Sequence, residues 1–347
     1  MNYIENYGYE LEERIFTTSI NLDQCQNHSN FFFCKAYIQN FSENDIKKIK
    51  SKIDGRDEEL GFLIPSFSTV SNDHDYSSNS IFQRFADAGI KNFLENLEPD
   101  FLDLQEDESA LEELLHENLG FLVISRDRFI ENEQNKNKLF IELLKYSVFI
   151  DIFNKNDISI VDNSLFPAKA LPETKAIKIT LEGNKATNDQ FIIDVFSQVL
   201  FKETNHLLQF FYLYQIIETL IEFVMKNEYT TVKEKIDALG DSITSQNLKS
   251  FVDTVNKSLK EINRINKLNS NYSQPYDNDF DTREKLNDFI KQHLDSTWDK
   301  DTHTSIYEIR NKSFHEFRSL GDSQKLATIT PYVFGYVLHL VANYKSI

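Results

Sequence analysis

The chain has 347 residues, of which 40% are hydrophobic and 27% are charged, a composition typical of soluble globular proteins. Its length favours two domains over one. Its net charge of −18 argues against a protein that binds nucleic acid through overall positive charge. The charge is uneven, because residues 1–189 hold 34 acidic and 19 basic residues, whereas residues 190–347 hold 21 and 18. Any site for a polyanion is therefore expected in the C-terminal half.

The first half of the chain is predicted to mix strands and helices. Short apolar runs bounded by turn residues predict strands at 30–38, 60–65, 119–125 and 176–182. Ser42 as a cap, followed by isoleucines at helical spacing, predicts a helix over 42–53. The apolar segment 138–153 fits either a helix or a strand, and both alternatives are open. We therefore expect an α+β domain over residues 1–187.

Near residue 187 the pattern becomes helical and stays so. From 188 to 227 the apolar residues follow a helical period without proline or glycine. Further helices are predicted up to the C-terminus, where Thr330 is the expected cap of the last helix and Pro331 its first residue. We therefore expect an all-α domain over residues 188–347, built from four to six helices.

Cysteine content and hydropathy predict a cytoplasmic protein. Cys25 and Cys34 are the two cysteines, and reduced thiols are favoured over the alternative of a single disulfide. No basic stretch followed by an apolar one marks a signal peptide. The most apolar long segment, 207–225, contains polar residues such as Glu218 and Glu222, which a membrane span would rarely carry. We expect no membrane as a partner.

Common cofactor and metal motifs are absent from the sequence. It has no glycine-rich phosphate loop and no His-Glu-x-x-His pattern. The two cysteines do not have the spacing of zinc ligands. We therefore expect neither a cofactor nor a metal ion.

The most informative segment is IYEIRNKSFHEF, residues 306–317, which places an arginine, an asparagine and a histidine close together. On a straight helix Arg310 and His315 would lie about 140° apart around the axis and would not share a face. A bend between them would be needed if the two side chains are to act together.

Two alternatives are open for this segment. Ser313 and Glu316 fit a capping box, which predicts that one helix ends near Arg310 and the next begins at Ser313. His315 would then lie in the first turn of the new helix, where the positive end of the dipole favours a neutral imidazole and a bound phosphate. A continuous helix through residues 306–320 is the other alternative.

The three side chains of the segment have the properties that metal-free RNA cleavage requires. A neutral His315 can take the proton from a ribose 2′-hydroxyl group. Arg310 can stabilise the charge that builds up on the phosphoryl oxygens, and Asn311 can orient one of those oxygens. The spacing alone, however, is more typical of an exposed surface pair than of an active site.

The sequence RNKSFH resembles the signature of the HEPN superfamily, in which an arginine and a polar residue precede a histidine by four to six intervening positions. Arg310, Asn311 and His315 match this signature, with four residues between the arginine and the histidine. The long predicted helix at 203–227 resembles the first helix of the family's bundle. The resemblance covers about residues 190–347 and leaves the first domain unassigned.

The resemblance implies an all-α HEPN-like bundle and a metal-independent endoribonuclease whose products end in a 2′,3′-cyclic phosphate. The substrate would be RNA, with tRNA as one candidate. The resemblance also implies a homodimer formed through the helical domain, which brings two motifs into one composite cleft. Such proteins act as toxins or in antiviral, abortive-infection defence. An antitoxin or a trigger protein is the implied partner. The N-terminal domain would then control the nuclease or sense the trigger.

The catalytic candidates are thus Arg310 as the phosphate clamp, Asn311 as the orienting group and His315 as the base. Glu218, in the predicted first bundle helix, is a further candidate, although a glutamate in that position more often faces solvent. Some members of the superfamily have lost catalysis. The alternative function is therefore a non-catalytic HEPN-like module for dimerisation or for binding a nucleotide or a partner protein.

Overall fold

The computed structural model of the chain describes residues 2–4, 8–11, 14–17, 28–38, 42, 44–53, 55–69, 71, 73–95, 115, 118–152, 165–166, 174–239, 244–246, 249, 252, 260–277, 279–294, 297–315 and 324–345. The chain forms two compact units. The first comprises Met1–Val161 and Ala168–Gly183, and the second comprises Asp162–Pro167 and Asn184–Ile347. The main division follows Gly183 and lies close to the domain boundary predicted at residue 187.

Strands dominate the described part of the first unit. One sheet is antiparallel and contains β1 (Asn2–Ile4), β2 (Gly8–Leu11) and β3 (Arg14–Thr17). A second, six-stranded sheet contains β4 (Phe31–Ile38), β5 (Lys47–Ile53), β6 (Arg56–Pro65), β7 (Leu119–Ser125), β8 (Val148–Ile150) and β9 (Ala176–Ile179). Its strand order is β8-β4-β7-β6-β5-β9, and the pair β5–β9 is parallel while its other pairs are antiparallel.

Two helices pack against the six-stranded sheet. Helix α1 (Ser80–Glu95) packs on β4, β6 and β7, and Phe82 contacts the ring of Phe62 with 5.6 Å between centroids. Helix α2 (Glu133–Leu144) packs on β8 and β9, and Phe140 contacts the ring of Phe149. Strand β7 is buried through residues 119–124 because side chains on both of its faces are covered. The predicted strands at 30–38, 60–65, 119–125 and 176–182 are confirmed.

The helix predicted over 42–53 is wrong, because residues 47–53 form strand β5. Alternate positions of this strand are buried, namely Lys47, Ile49 and Ser51. Burial in this segment therefore repeats every two residues, as in a strand, and does not follow the helical spacing of its isoleucines. Pairing with β6 on one side and β9 on the other stabilises the extended backbone. The ambiguous segment 138–153 divides into the end of α2 and strand β8.

The described part of the second unit is helical. A short helix, α3 (Gln190–Asp194), runs into a π-helical turn at Val195–Val199. The remaining helices are α4 (His206–Leu239), α5 (Glu261–Asn271), α6 (Asp279–His293), α7 (Thr302–His315), α8 (Gln324–Ala327) and α9 (Thr330–Ala342). The prediction of an α+β region followed by a mostly helical region is thereby confirmed.

Helix α4 is the centre of the second unit. It packs against α5, α8 and α9, while α7 packs against α5 and α6. Its buried side chains recur every three or four residues, as in Phe210, Leu213, Ile217 and Leu220. Within the described residues, His206–Thr230 is the one segment long and apolar enough to span a membrane, and 56% of its most apolar window is buried in the protein. These features are those of a core helix.

Of the two alternatives for residues 306–317, the helix break is wrong, because α7 continues from Thr302 to His315. The Ser313 hydroxyl is buried and donates a hydrogen bond to the carbonyl oxygen of Ile309, at 2.6 Å, so it does not cap a new helix. Glu316, the other half of the predicted capping box, lies outside the described residues.

The start of α9 also differs slightly from the prediction. Thr330 is the first helical residue rather than the cap, and Ile329 occupies the cap position. The Thr330 hydroxyl donates a hydrogen bond to the carbonyl oxygen of Leu326, at 2.7 Å. Pro331 lies in the first turn, as expected from its missing N–H group.

Candidate functional site

Helix α7 positions the first two residues of the motif. Ile306, Ile309 and Ser313 face the interior of the helical unit and are buried, which fixes the rotation of the helix about its axis. Arg310 and Asn311 consequently lie at the border between interior and solvent, where both side chains are half-buried.

Three of the four candidate site residues are brought together in the structure. The Nη2 atom of Arg310 lies 2.9 Å from Oε1 of Glu218 on α4, and its Nη1 atom donates a hydrogen bond to Oδ1 of Asn311 at 3.0 Å. The side chains of Arg310 and Glu218 are 26% and 30% exposed. The pair is thus accessible from solvent at the edge of the α4–α7 contact.

Glu218 is held from both sides. While Oε1 accepts from Arg310, Oε2 accepts a hydrogen bond from Nε2 of Gln215 at 2.5 Å. Gln215 and Glu218 are three residues apart on α4 and therefore lie on the same face of that helix. Glu218, the further candidate from the sequence, bridges α4 and the arginine of the motif while remaining partly exposed.

A tyrosine lies under the guanidinium group. The Cζ atom of Arg310 is 5.0 Å from the ring centroid of Tyr214, which is 1% exposed. The Tyr214 hydroxyl donates a hydrogen bond to Oε1 of Glu261 on α5, at 2.6 Å. Burial raises the pKa of Tyr214 well above its ordinary value, and the hydrogen bond to Glu261 and the charge of that carboxylate act in the same direction. The phenol therefore remains protonated and remains a donor at neutral pH.

Sequence reasoning missed the roles of Gln215, Tyr214 and Glu261. Tyr214 and Gln215 precede Glu218 by four and three residues, a spacing that places each of them beside Glu218 on a helix. No comparable signal existed for Glu261, which is 47 residues away from Tyr214 in the chain.

His315 is the last residue of α7, and its side chain lies outside the part of the chain that the structure describes. Because α7 has no break between Arg310 and His315, these two positions are separated by about 140° around the helix axis. The structure therefore does not bring the arginine and the histidine of one chain to a common face of α7.

The charges of the site are not those of an open anion pocket. Glu218 pairs with the edge of Arg310, and Glu261 accepts from the hydroxyl of the Tyr214 ring that Arg310 contacts, so two carboxylates accompany one guanidinium group. A phosphate that took the position of the Glu218 carboxylate at Nη2 would replace this ion pair. Chemically, the site can exchange one anionic oxygen ligand for another at a guanidinium group that is otherwise fixed.

Within the described residues, no group of three or more histidine, cysteine, aspartate or glutamate side chains is arranged to hold a metal ion. Cys34 is a free, buried thiol on β4, and Cys25 lies outside the described residues.

Comparison of the chain with protein-family models, with curated proteins and with solved structures finds no match.

Proposed function

We propose that this protein is a metal-independent endoribonuclease with a HEPN-like helical domain. The observation that carries the proposal is the contact of Arg310 with both Asn311 and Glu218, since it unites three of the four residues selected from the sequence. The Arg310 side chain is 26% exposed, which leaves part of it accessible to a phosphodiester group.

In the proposed reaction the ribose 2′-oxygen attacks the adjacent phosphorus atom. His315 accepts the proton of the 2′-hydroxyl group, and Arg310 binds a non-bridging oxygen as negative charge develops there. Asn311 accepts a hydrogen bond from Nη1 and fixes the direction of that donor. The bond from phosphorus to the 5′-oxygen breaks, and the leaving oxygen takes up a proton. The products are a 2′,3′-cyclic phosphate and a free 5′-hydroxyl group.

A homodimer through the helical domain is part of the proposal. Positions 310 and 315 lie about 140° apart around the axis of the continuous helix α7, so in the proposal a second copy supplies the histidine that acts with Arg310. RNA, with tRNA as one candidate, is the proposed substrate. We place the protein in the cytoplasm as a toxin or antiviral, abortive-infection effector. In this role the α+β unit responds to a trigger protein or an antitoxin.

The test is incubation of the purified full-length chain with total RNA and with tRNA in the presence of EDTA. We expect cleavage by the wild-type protein, with 2′,3′-cyclic phosphate ends, and its loss in the variants Arg310→Ala and His315→Ala. Lys291→Ala and His293→Ala are matched controls, because each removes an exposed residue of similar charge or type from α6. Full cleavage by Arg310→Ala and His315→Ala would show that the motif is not the active site.

The second candidate function is a non-catalytic HEPN-like module for dimerisation or for binding a nucleotide or a partner protein. The ion pair between Arg310 and Glu218 favours it, because a guanidinium group already paired with a carboxylate can serve simply to join α4 and α7. Under this alternative the wild-type chain cleaves no RNA, and Arg310→Ala changes thermal stability alone.

A further inference from the structure

We infer that Tyr214 is a positioning residue for Arg310 and that Glu261 holds Tyr214 in place. The inference deepens the proposed ribonuclease function and rests on it. It assigns a role to two side chains beside the motif, the buried Tyr214 and the half-buried Glu261, neither of which contacts RNA itself.

Three contacts of Arg310 bear on its orientation. Asn311 and Glu218 accept hydrogen bonds from Nη1 and Nη2 at the edge of the guanidinium group, whereas its central carbon atom Cζ lies over the ring of Tyr214. The attraction between a guanidinium cation and the electron-rich face of a phenol ring favours one orientation of the guanidinium plane. The contacts with Asn311 and Glu218 fix the direction in which Arg310 donates its hydrogen bonds. The contact with the Tyr214 ring fixes the orientation of the guanidinium plane.

RNA binding would affect the Glu218 contact and the Tyr214 contact of Arg310 differently. Glu218 is partly exposed, and its carboxylate occupies the atom at which a phosphate oxygen would bind. When a phosphate displaces the Glu218 carboxylate, Nη2 loses the ligand that holds it in the free protein. Tyr214 is buried, and its contact with the guanidinium face is not displaced by a ligand that approaches the edge. The Tyr214 ring therefore still supports the guanidinium group after a phosphate has replaced the Glu218 carboxylate.

The ring is itself anchored from a third helix. The Tyr214 hydroxyl donates to Oε1 of Glu261, the first residue of α5. Glu261 lies in the first turn of α5, where the positive end of the helix dipole favours a carboxylate. The 2.6 Å distance is at the short end of the range for O–H···O hydrogen bonds. The orientation of Arg310 on α7 thus depends on the packing of α4 against α5.

A purely structural role for Tyr214 predicts something different. A core tyrosine that serves packing alone would, when changed to phenylalanine, lower the unfolding temperature and leave the chemistry of intact molecules unchanged. A positioning role predicts a slower chemical step with nearly unchanged RNA affinity, because a misoriented guanidinium group still attracts a phosphate but stabilises the transition state less.

The experiment compares Tyr214→Phe, Glu261→Ala and Glu261→Gln with the wild-type chain. Single-turnover cleavage is measured at saturating protein, and RNA affinity is measured in the same variants carrying His315→Ala. We expect Tyr214→Phe and Glu261→Ala to slow cleavage about ten-fold while RNA affinity changes less than about two-fold. Glu261→Gln, which retains an acceptor oxygen for the phenol, should recover most of the rate. The double variant Tyr214→Phe with Glu261→Ala should be no slower than either single variant.

A matched control exists in the same unit. The Tyr272 hydroxyl also donates to a glutamate, Glu228 on α4, and neither of these two residues contacts Arg310 in the structure. Tyr272→Phe therefore removes one tyrosine–glutamate hydrogen bond without touching the site, and we expect the wild-type cleavage rate. An equal loss in Tyr272→Phe and Tyr214→Phe would overturn the inference, as would unchanged cleavage by Tyr214→Phe.

A second measurement separates this inference from the proposed function. The guanidinium ¹⁵N resonances of Arg310 are assigned by their absence in Arg310→Lys. We expect restricted rotation of the Arg310 guanidinium group in the wild-type protein and faster rotation in Tyr214→Phe, whether or not RNA is cleaved. No cleavage by the wild-type chain together with this change would refute the ribonuclease and support the positioning of Arg310. Identical resonances in the wild type and Tyr214→Phe would refute the positioning itself.

Discussion

Arg310 and Glu218, from two different helices, form an ion pair with 2.9 Å between Nη2 and Oε1 at the border of the helical unit. About a quarter of each side chain or slightly more is exposed, and pairs of this kind contribute little to stability. The contact is therefore weak enough to exchange for a phosphate. In the free protein, the carboxylate of Glu218 therefore offsets the charge of Arg310.

Removing the charge of Glu218 should strengthen RNA binding. In a His315→Ala background we expect Glu218→Gln to lower the dissociation constant for RNA about two- to five-fold, because the competing carboxylate is lost while an oxygen acceptor stays in place. Fluorescence anisotropy with labelled RNA at two salt concentrations measures the effect. Glu222→Gln is the control, since it removes the same charge from an exposed position one turn further along α4.

An equal gain in Glu218→Gln and Glu222→Gln would mean that only the overall charge of the unit matters. Weaker RNA binding by Glu218→Gln would contradict the exchange at Nη2 and would identify the carboxylate as a required part of the RNA site.

Mixing two inactive variants should restore cleavage if the proposed dimer shares its sites. When Arg310 of one copy acts with His315 of the other, a mixed dimer of Arg310→Ala and His315→Ala contains one intact site. Half of the dimers are mixed after random re-association, so we expect about a quarter of the wild-type activity. Each variant alone should be inactive. No activity after confirmed subunit exchange would place both groups of the site in the same chain.

A close approach of two strands makes Gly61 sensitive to substitution. A Cβ atom at this position of β6 would lie against the carbonyl oxygen of Val123 in β7, well inside van der Waals contact. We expect Gly61→Ala to lower the free energy of unfolding of the first unit by about 2–4 kcal/mol, measured by urea unfolding. Gly89→Ala is the matched control, because the nearest atoms that its Cβ would meet belong to side chains, with the end of the Val123 side chain nearest at 3.1 Å and Phe121 in ordinary contact at 3.5 Å. We expect it to change the free energy by less than about 1 kcal/mol, since an alanine also favours the helix. Equal losses in the two variants would contradict this account.

The buried thiol of Cys34 should make the stability of the first unit depend on pH. Burial raises the pKa of the Cys34 thiol, and the neighbouring Asp151 carboxylate raises it further. The unfolded chain releases this proton above a pH of about 8.5, whereas the folded chain retains it, so the stabilising contribution is complete below that pH and declines above it.

Between pH 7.5 and 9.5 we therefore expect the wild-type chain to lose about 1 kcal/mol more of its free energy of unfolding than Cys34→Ala does. Urea unfolding followed by circular dichroism at both pH values measures the difference, and the comparison cancels other groups that titrate in this range. Parallel losses in the two proteins would show that the thiol ionises in the folded state as readily as in the unfolded chain.

Much of the architecture could be predicted from local patterns. Apolar runs bounded by turn residues predicted four strands of the larger sheet, and periodicity predicted the helical second unit. Arg310 and Asn311 could be selected together because they are adjacent in the chain and share one helix. Such features depend on which side of a regular element a residue occupies, and the order of residues determines this directly.

Other features were decided by tertiary structure. Residues 47–53 satisfy a helical and an extended pattern, and pairing with β6 and β9 makes them a strand. Ser313 can cap a helix or bond back to the preceding turn, and its burial within the helical unit selects the second.

The surroundings of Arg310 depend in the same way on helix packing. Tyr214 and Glu218 come from α4, and Glu261 comes from α5. The sequence by itself determined that an arginine, an asparagine and a histidine follow one another at the spacing of a known motif. Which carboxylate pairs with the arginine, and which ring supports it, follows from contacts between helices that are distant in the chain, and local patterns carry no information about such contacts.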